Sequence, residues 1–569
     1  MYKSEAMTII RIAHNAITAK LVDVPKEVSL IVSDVLTYTV EGSEHMTKRP
    51  GWDGKSSFFS FKTQSFPAGF VHRVQARLTS EGYKVVLVKK PLPEPLGDVT
   101  PAVDAFGEDP RYSYQMETVR KLEKFGMMIA QLATGGGKSR VARLAYKRIN
   151  RKTLFLTTRS ALLYQFHSAC VESFGEQEVG IVGDGTWDAD KQLVCGMVQT
   201  LAQRLQNPTA NELFDRHITN AIEKENREVE KLKLSLAKAK VPIVDRNVKL
   251  AALRAELELK RATPEQISQT VVKKLKVIKK QRDETIELLQ QFELVIAEEA
   301  HEAGGNSYFD VMGACRNAYY RLALTATPFM RGDAESNMRL MGVSGGIGIR
   351  VTEKQLIDLG ILAKPIFKIM PTQKPKSLFR SSAYTKAYDV GIVNHEWRNR
   401  YIAAECIRMA KYGLTTMILV QRKNHGENLV KLLTKAGLKC KFIKGENDND
   451  ERQRALEMLG TGEISVLIGT NILDVGVDVP SVGCIALAGG GKAEVANRQR
   501  IGRGLRAKKS GPNICFVLDF ADEHNQHLQG HAIQRRAIVT ETPGFSEGLL
   551  PSGEDWKLTD YGFSKLLTA

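Results

Sequence analysis

Short apolar runs recur along most of this chain, separated by stretches with helical spacing. Met127-Met128-Ile129-Ala130, Thr153-Leu154-Phe155-Leu156 and Leu294-Val295-Ile296-Ala297 form one series, and Met417-Ile418-Leu419-Val420, Val466-Leu467-Ile468 and Cys515-Phe516-Val517-Leu518 form a second. Runs of this kind read as strands buried on both faces, and their alternation with helices predicts two parallel sheets, each covered by helices. The breaks in the pattern divide the chain into a small α+β block over 1–100, an α/β block over 101–335, a second over 336–520, and a polar, irregular tail over 521–569. The first block has short β-rich runs and one helix-like stretch. It ends in Pro91-Leu92-Pro93-Glu94-Pro95, whose prolines favour an extended connector.

One stretch of about 205–292 interrupts the first α/β block. It contains no glycine and is dense in Lys, Arg and Glu. Ile267, Val271, Leu275 and Ile278 lie on one helical stripe, Leu250, Leu253 and Leu257 form another, and Thr263-Pro264-Glu265-Gln266 has the residues of a capping box with proline at the first helical position. Two or more long helices packed as an antiparallel hairpin are expected. Such a hairpin is either a solvated charged spacer or an arm that touches DNA or a partner.

Composition narrows the function classes. The apolar fraction of 43% supports large cores across 569 residues, enough for three or four domains. No apolar run approaches the ~20 residues of a membrane span, and no signal-type stretch follows Met1, so a cytoplasmic protein without a membrane partner is expected. The seven cysteines show no C-x-x-C spacing, which argues against disulfides and a zinc site. The net charge of +17 suits a polyanionic partner.

The sharpest chemical signal is Ala133-Thr134-Gly135-Gly136-Gly137-Lys138-Ser139, between a strand and a helix. Glycines let backbone N–H groups converge on phosphates. Lys138 can neutralise them, and the Ser139 hydroxyl can ligate Mg²⁺. The strict pattern has a further glycine where this chain has Leu132. The second signal is Glu298-Glu299-Ala300-His301 at the end of an apolar strand, where one carboxylate can hold a metal and the next polarise a water.

Other segments surround these two. Tyr114-Gln115 lies upstream. Thr157-Thr158-Arg159, Gln199-Thr200-Leu201 and Leu324-Thr325-Ala326-Thr327-Pro328 complete the first α/β block. Gly469-Thr470 through Gly476-Val477-Asp478, and Gln499-Arg500-Ile501-Gly502-Arg503-Gly504-Leu505-Arg506, stand in the second. The set resembles, in order and spacing, the motifs of superfamily-2 DExH-type helicases. The resemblance implies two tandem RecA-like domains with ATP and Mg²⁺ between them. It assigns catalysis to Lys138, Glu298, Glu299, His301, Gln499, Arg503 and Arg506. Nucleotide contacts fall to Gln115, Thr134, Gly135, Gly136, Gly137, Lys138, Ser139, Gly476 and Asp478, with Ser139 and Glu298 on the metal. DNA contacts fall to Thr158, Arg159, Gln199, Thr200 and Thr470. Arg503 and Arg506, three apart, would share a helical face and meet charge developing on the γ-phosphoryl group. The family's metal-side carboxylate is normally aspartate, and Glu298 is longer by one methylene.

The N-terminal block adds Gly51-Trp52-Asp53-Gly54, Phe66-Pro67-Ala68-Gly69-Phe70 and Gly82-Tyr83-Lys84. These resemble the amino-terminal module of phage UvsW-type helicases, which implies an accessory DNA-binding domain. There Trp52 would stack on a base or serve as a core or interdomain aromatic. The resemblance implies an ATP-dependent DNA helicase acting on single-stranded and branched DNA (Holliday junctions, forks, R-loops), with phage recombination or replication proteins as partners in the host bacterial cytoplasm. A double-strand translocase without unwinding, an RNA helicase, and an ATP-binding DNA scaffold without turnover are the alternatives. His301 leans away from the RNA enzymes' D-E-A-D box.

Overall fold

The computed structural model describes residues 8–43, 52–104, 109–329, 333–445, 447–470, 482–491, 501–502, 504–508 and 510–566. The chain is α/β. It has two parallel sheets as tandem RecA-like lobes, a small mixed sheet before them, and a helical insertion in the first lobe.

The first sheet runs in the order Thr186–Trp187, Val179–Gly183, Leu193–Met197, Thr153–Thr157, Leu294–Glu298, Tyr320–Thr325, Met127–Leu132 and Ile347–Val351. Only the Thr186–Trp187 strand is antiparallel to its neighbour. Leu294–Glu298 and Tyr320–Thr325 are buried at every position, as helices on both faces require. Thr325 pairs with Gln131 and Leu324 with Glu298, so three neighbouring strands end at nearly the same level. The loops that follow them therefore leave the sheet side by side.

Ile347–Val351 pairs with Met127–Leu132, so the first lobe continues past the boundary expected at 335. This edge strand is only partly buried and has no long apolar run to mark it. The second sheet runs Lys364–Pro371, Ile514–Ala521, Cys484–Ala486, Thr416–Leu419, Val466–Gly469 and Cys440–Ile443, all parallel.

The N-terminal module pairs Ser65–Pro67, Thr18–Val22, Ile9–His14 and Lys84–Lys89 in one mixed sheet. It carries two helices, Lys26–Val35 and Val71–Ser80, where one was expected. Ile10, Leu21, Val28, Val32, Phe70 and Val74 form its own core, and Met338 from the helix Ala334–Ser344 inserts into it. A side chain of the first lobe thus helps close the module.

The insertion comprises three helices, Ala210–Lys238, Ile243–Leu259 and Pro264–Gln291. Thr209 and Thr263 start the first and third with capping boxes. The first and third pack through Leu213, Ile267 and Val271, and the middle helix buries no residue. Among the described residues, no helix is long and apolar enough to cross a membrane.

The tail is more ordered than its polar sequence suggests. Gln526–Glu541 is helical, and its Arg535 is buried against Asp519 at 3.0 Å and Asp522 at 3.5 Å. Arg535 shares the buried face with Leu528, Ile538 and Val539, and a charged residue within that stripe interrupts the apolar periodicity. Beyond it, Trp556 is 3% exposed, lies 5.2 Å from the Phe516 ring, and has the Lys368 ammonium 4.1 Å from its ring centroid. Trp556→Ala should destabilise the second lobe by about 3–5 kcal/mol, the usual cost of truncating a buried aromatic. Denaturant unfolding followed by fluorescence checks this, and an unshifted midpoint would contradict the packing.

Candidate functional site

The glycine loop leaves the Met127–Leu132 strand and enters the helix Lys138–Ile149. Gly137 is the N-cap in the left-handed region, with φ 79°. A Cβ there would stand 2.3 Å from Gln115 Nε2, so both the backbone and its neighbour require glycine. The Gly136 carbonyl accepts from the Tyr114 hydroxyl at 2.8 Å and from Gln115 Nε2 at 3.2 Å, while Gln115 Oε1 accepts from Arg140 at 2.6 Å. Gln115 is 1% exposed and braces the loop from behind. Its amide lies against the loop backbone in place of an open base-reading position.

Glu298 ends the neighbouring strand and is 8% exposed; the Tyr308 hydroxyl holds its carbonyl at 2.8 Å. Glu299 follows in a left-handed conformation, φ 47° and ψ 47°, uncommon for a residue with a side chain. This turn sends successive carboxylates in different directions. Lys138 Nζ lies 3.0 Å from Glu299 Oε1. His301 Nδ1 lies 3.3 Å from Glu299 Oε2 and 3.1 Å from Thr325 Oγ1, which accepts the Thr327 N–H at 3.2 Å. Burial alone would raise the Glu299 pKa, but the charges of Lys138 and His301 outweigh it and hold the carboxyl well below the usual range. Glu299 is ionised at neutral pH.

The same short segment reaches a second set of residues. Glu302, on the turn Ala300–Gly304, accepts from Arg159 Nη2 at 2.7 Å and from the Thr158 hydroxyl. Gln199 Nε2 donates to the Thr158 carbonyl at 2.9 Å. Thr158, Arg159 and Gln199 are thus gathered on one strip, with Thr200 on the same helix as Gln199, Val198–Leu205. Sequence reasoning missed Glu302. It stands one residue beyond a recognised box, and only the fold brings it within reach of Arg159.

A cleft of about 480 Å³ opens between the lobes. Thr134, Gly135, Lys138, Ser139, Glu298 and Glu299 line it from the first lobe, and Leu362, Gly502 and Arg506 from across. A Cβ on Gly502 would fall 2.7 Å from Thr134 Cβ, so glycine permits the second lobe to touch the phosphate loop. Thr470 sits apart, at the tip of Val466–Gly469, and Trp52 lies in the N-terminal module with its indole donating to the Lys55 carbonyl at 2.7 Å. Neither reaches the cleft. Gly476, Asp478, Gln499 and Arg503 lie outside the described residues.

The donor set fits a nucleotide with Mg²⁺. Ser139 and Glu298 offer the hard oxygens that Mg²⁺ prefers. Glu299 Oε2 is buried beside His301 Nδ1, so the carboxylate is held at both oxygens, by Lys138 and by His301. Gly137→Ala should cut ATP turnover by at least about 100-fold, because it displaces the phosphate loop. Phosphate release, with a melting curve to verify folding, tests this; turnover near wild type would refute the cradle.

Comparison with known proteins agrees with this geometry. Residues 109–330 match the family described as "Type III restriction enzyme, res subunit", and residues 399–508 match "Helicase conserved C-terminal domain". Together these span more than half of the chain. The protein named helicase 22 of Sulfolobus islandicus filamentous virus is 24% identical over 271 residues, covering 45% of this chain and 47% of that protein. UvrABC system protein B of Treponema denticola is 28% identical over 167 residues, covering 28% of this chain and 25% of that protein. The chain thus spans about half or less of the length of these curated relatives. The solved structure of UvsW from bacteriophage T4 aligns with 96% of this chain and 99% of its own, at 17% identity and a TM-score of 0.42. With both family matches falling on the two sheets that form the cleft, the chain belongs to the superfamily-2 helicases, a family of ATP hydrolases that act on nucleic acid.

Proposed function

We propose that this chain is an ATP-driven DNA motor that unwinds or branch-migrates branched DNA, in phage recombination, replication or repair. The observation that carries the motor reading is the segment Glu298–Glu302. Glu299 contacts Lys138 in the nucleotide cleft, while Glu302 contacts Arg159 and Thr158 outside it. A change at either end has a short, rigid route to the other.

In this reading Lys138 and the loop N–H groups bind the β- and γ-phosphates, and Ser139 and Glu298 hold Mg²⁺, which supplies neutralising charge. Glu299, kept ionised, orients the attacking water and accepts its proton. His301 holds the other carboxylate edge and ties it to Thr325. Arg506, which lines the far wall, meets the γ-phosphoryl charge from the second lobe. The family resemblance assigns Arg503 and Gln499 to the same charge, and Gly476 and Asp478 to the nucleotide. Gln115 acts through the loop it braces. Thr158, Arg159, Gln199, Thr200 and Thr470 contact the DNA backbone. The N-terminal module, including Trp52, selects branched forms, and His301 in the acidic box favours DNA over RNA as substrate.

Glu302 is the coupling element. Its carboxylate occupies the donors that a DNA phosphate needs, so strand binding displaces it and shifts the turn that carries His301. Glu302→Gln should therefore bind DNA more tightly and show a several-fold smaller stimulation of hydrolysis by DNA. An unchanged ratio of stimulated to basal rate would disprove the coupling.

The decisive measurement is phosphate release with no nucleic acid, single-stranded DNA, duplex, four-way junction and RNA. Stimulation greatest with branched DNA, and lost in Lys138→Ala and Glu299→Gln, is expected. Equal stimulation by RNA would reject DNA specificity. Absence of hydrolysis with every substrate would reject the motor.

A further inference from the structure

A large groove lies outside the nucleotide cleft. It has a volume of about 980 Å³ and runs between the first and third insertion helices, Ala210–Lys238 and Pro264–Gln291, at their root. Arg204, Arg216, His217, Lys224 and Lys274 line it, and no aspartate or glutamate does. Acidic residues are nevertheless dense in the insertion. On other faces they pair with cations, as in Arg227–Glu223 at 3.3 Å, Lys233–Glu230 at 3.3 Å and Lys260–Glu256 at 2.5 Å. The groove lining thus collects positive charge, with Arg204 offset by Glu284 at 3.4 Å. Such an arrangement costs self-repulsion that a polyanion relieves.

Two further features identify the polyanion. Thr200 lines the groove, next to Gln199, whose amide reaches the Thr158 carbonyl on the strip beside Arg159. Trp187 is 42% exposed and has the guanidinium of Arg204, another lining residue, 4.0 Å from its ring centroid. An exposed aromatic beside a cationic channel is the combination that holds single strands, bases on the ring and phosphates on the cations. The lining also includes apolar Val277, 55% exposed and suited to the face of an unpaired base. A cleft between two helices in contact accepts one strand, whereas a duplex would have to lie across its mouth.

We propose that the groove between the first and third insertion helices is a second track for a single DNA strand, continuous with the Thr158–Arg159–Gln199 strip of the motor core. The proposal rests on the DNA-motor reading above. The track lengthens the bound strand beyond the two lobes and gives the insertion a role in grip.

Anisotropy of fluorescein-labelled oligo(dT), titrated with the full chain over a series of salt concentrations, tests it. The groove variant R216E/K224E/K274E is compared with K273E/K276E/K279E, an equal charge change at exposed positions outside the groove on the third helix. The groove variant should bind about tenfold or more weakly. Its plot of log affinity against log salt should be shallower by about 2, at ~0.7 per lost single-strand phosphate contact. The outer variant should stay within about threefold of wild type. Equal losses in both variants, wild-type affinity in the groove variant, or a preference of the groove for duplex over oligo(dT) would overturn the track. Should the groove variant fail to fold, benzoylphenylalanine placed at Val277 in the otherwise unaltered chain must crosslink to oligo(dT); no crosslink would overturn it equally. Phosphate release by wild type with oligo(dT) separates the two readings. Stimulated hydrolysis with an indifferent groove removes the track alone, and unstimulated hydrolysis removes the motor and the track with it.

Discussion

Lys138 and Glu299 meet 3.0 Å apart at the carboxyl-terminal end of a sheet whose central strands are buried. Neither charge could be sustained inside that sheet, and each is carried by the residues immediately beyond it. The glycine loop delivers one and the left-handed turn at Glu299 the other. The pair lies in a cleft with low access to water, so its attraction outweighs the burial that would protonate the carboxyl. In the motor proposed above, a nucleotide competes for Lys138 beside a carboxylate already ionised.

The rest of the motor can be understood as extensions of that contact. Thr325 ends the strand between the two charged loops and holds His301, which in turn flanks Glu299. Glu302 continues the same turn to Arg159. Across the cleft, Gly502 brings the second lobe against Thr134 and leaves Arg506 lining the far wall. The glycine loop, the Thr158–Arg159 strip and the second lobe therefore all bear on a few residues at the carboxyl ends of neighbouring strands. Because the packing beneath them is close, small displacements there are transmitted rather than absorbed.

The peripheral parts differ in how they are held. The N-terminal module completes its core with Met338 of the first lobe, so it is joined by packing rather than by the proline linker alone. The insertion buries little of its length and exposes charged faces, which favours a role in contact over a role in stability. The tail closes the second lobe through Trp556 and the buried Arg535 pairs.

Much of this was written locally in the chain. Apolar strand runs, the Gly-Lys-Ser loop, the paired glutamates and the capping boxes of the insertion each depend on neighbours within a few residues, and such signals survive in one dimension. The two RecA-like sheets and the residues of the phosphate cradle were legible for that reason. Other features depend on residues far apart meeting in space. Glu302 beside Arg159, Gln115 behind the loop, Ile347–Val351 as an edge strand of the first lobe, and the carboxylate-free groove of the insertion have no local pattern. The tail helix hid because a buried, ion-paired arginine interrupts its apolar stripe. The sequence by itself determined which chemistry the chain carries, since that needs only residue types at strand ends. Tertiary structure alone decided which of those groups touch, because the geometry of contact is set by strand order and packing across hundreds of residues.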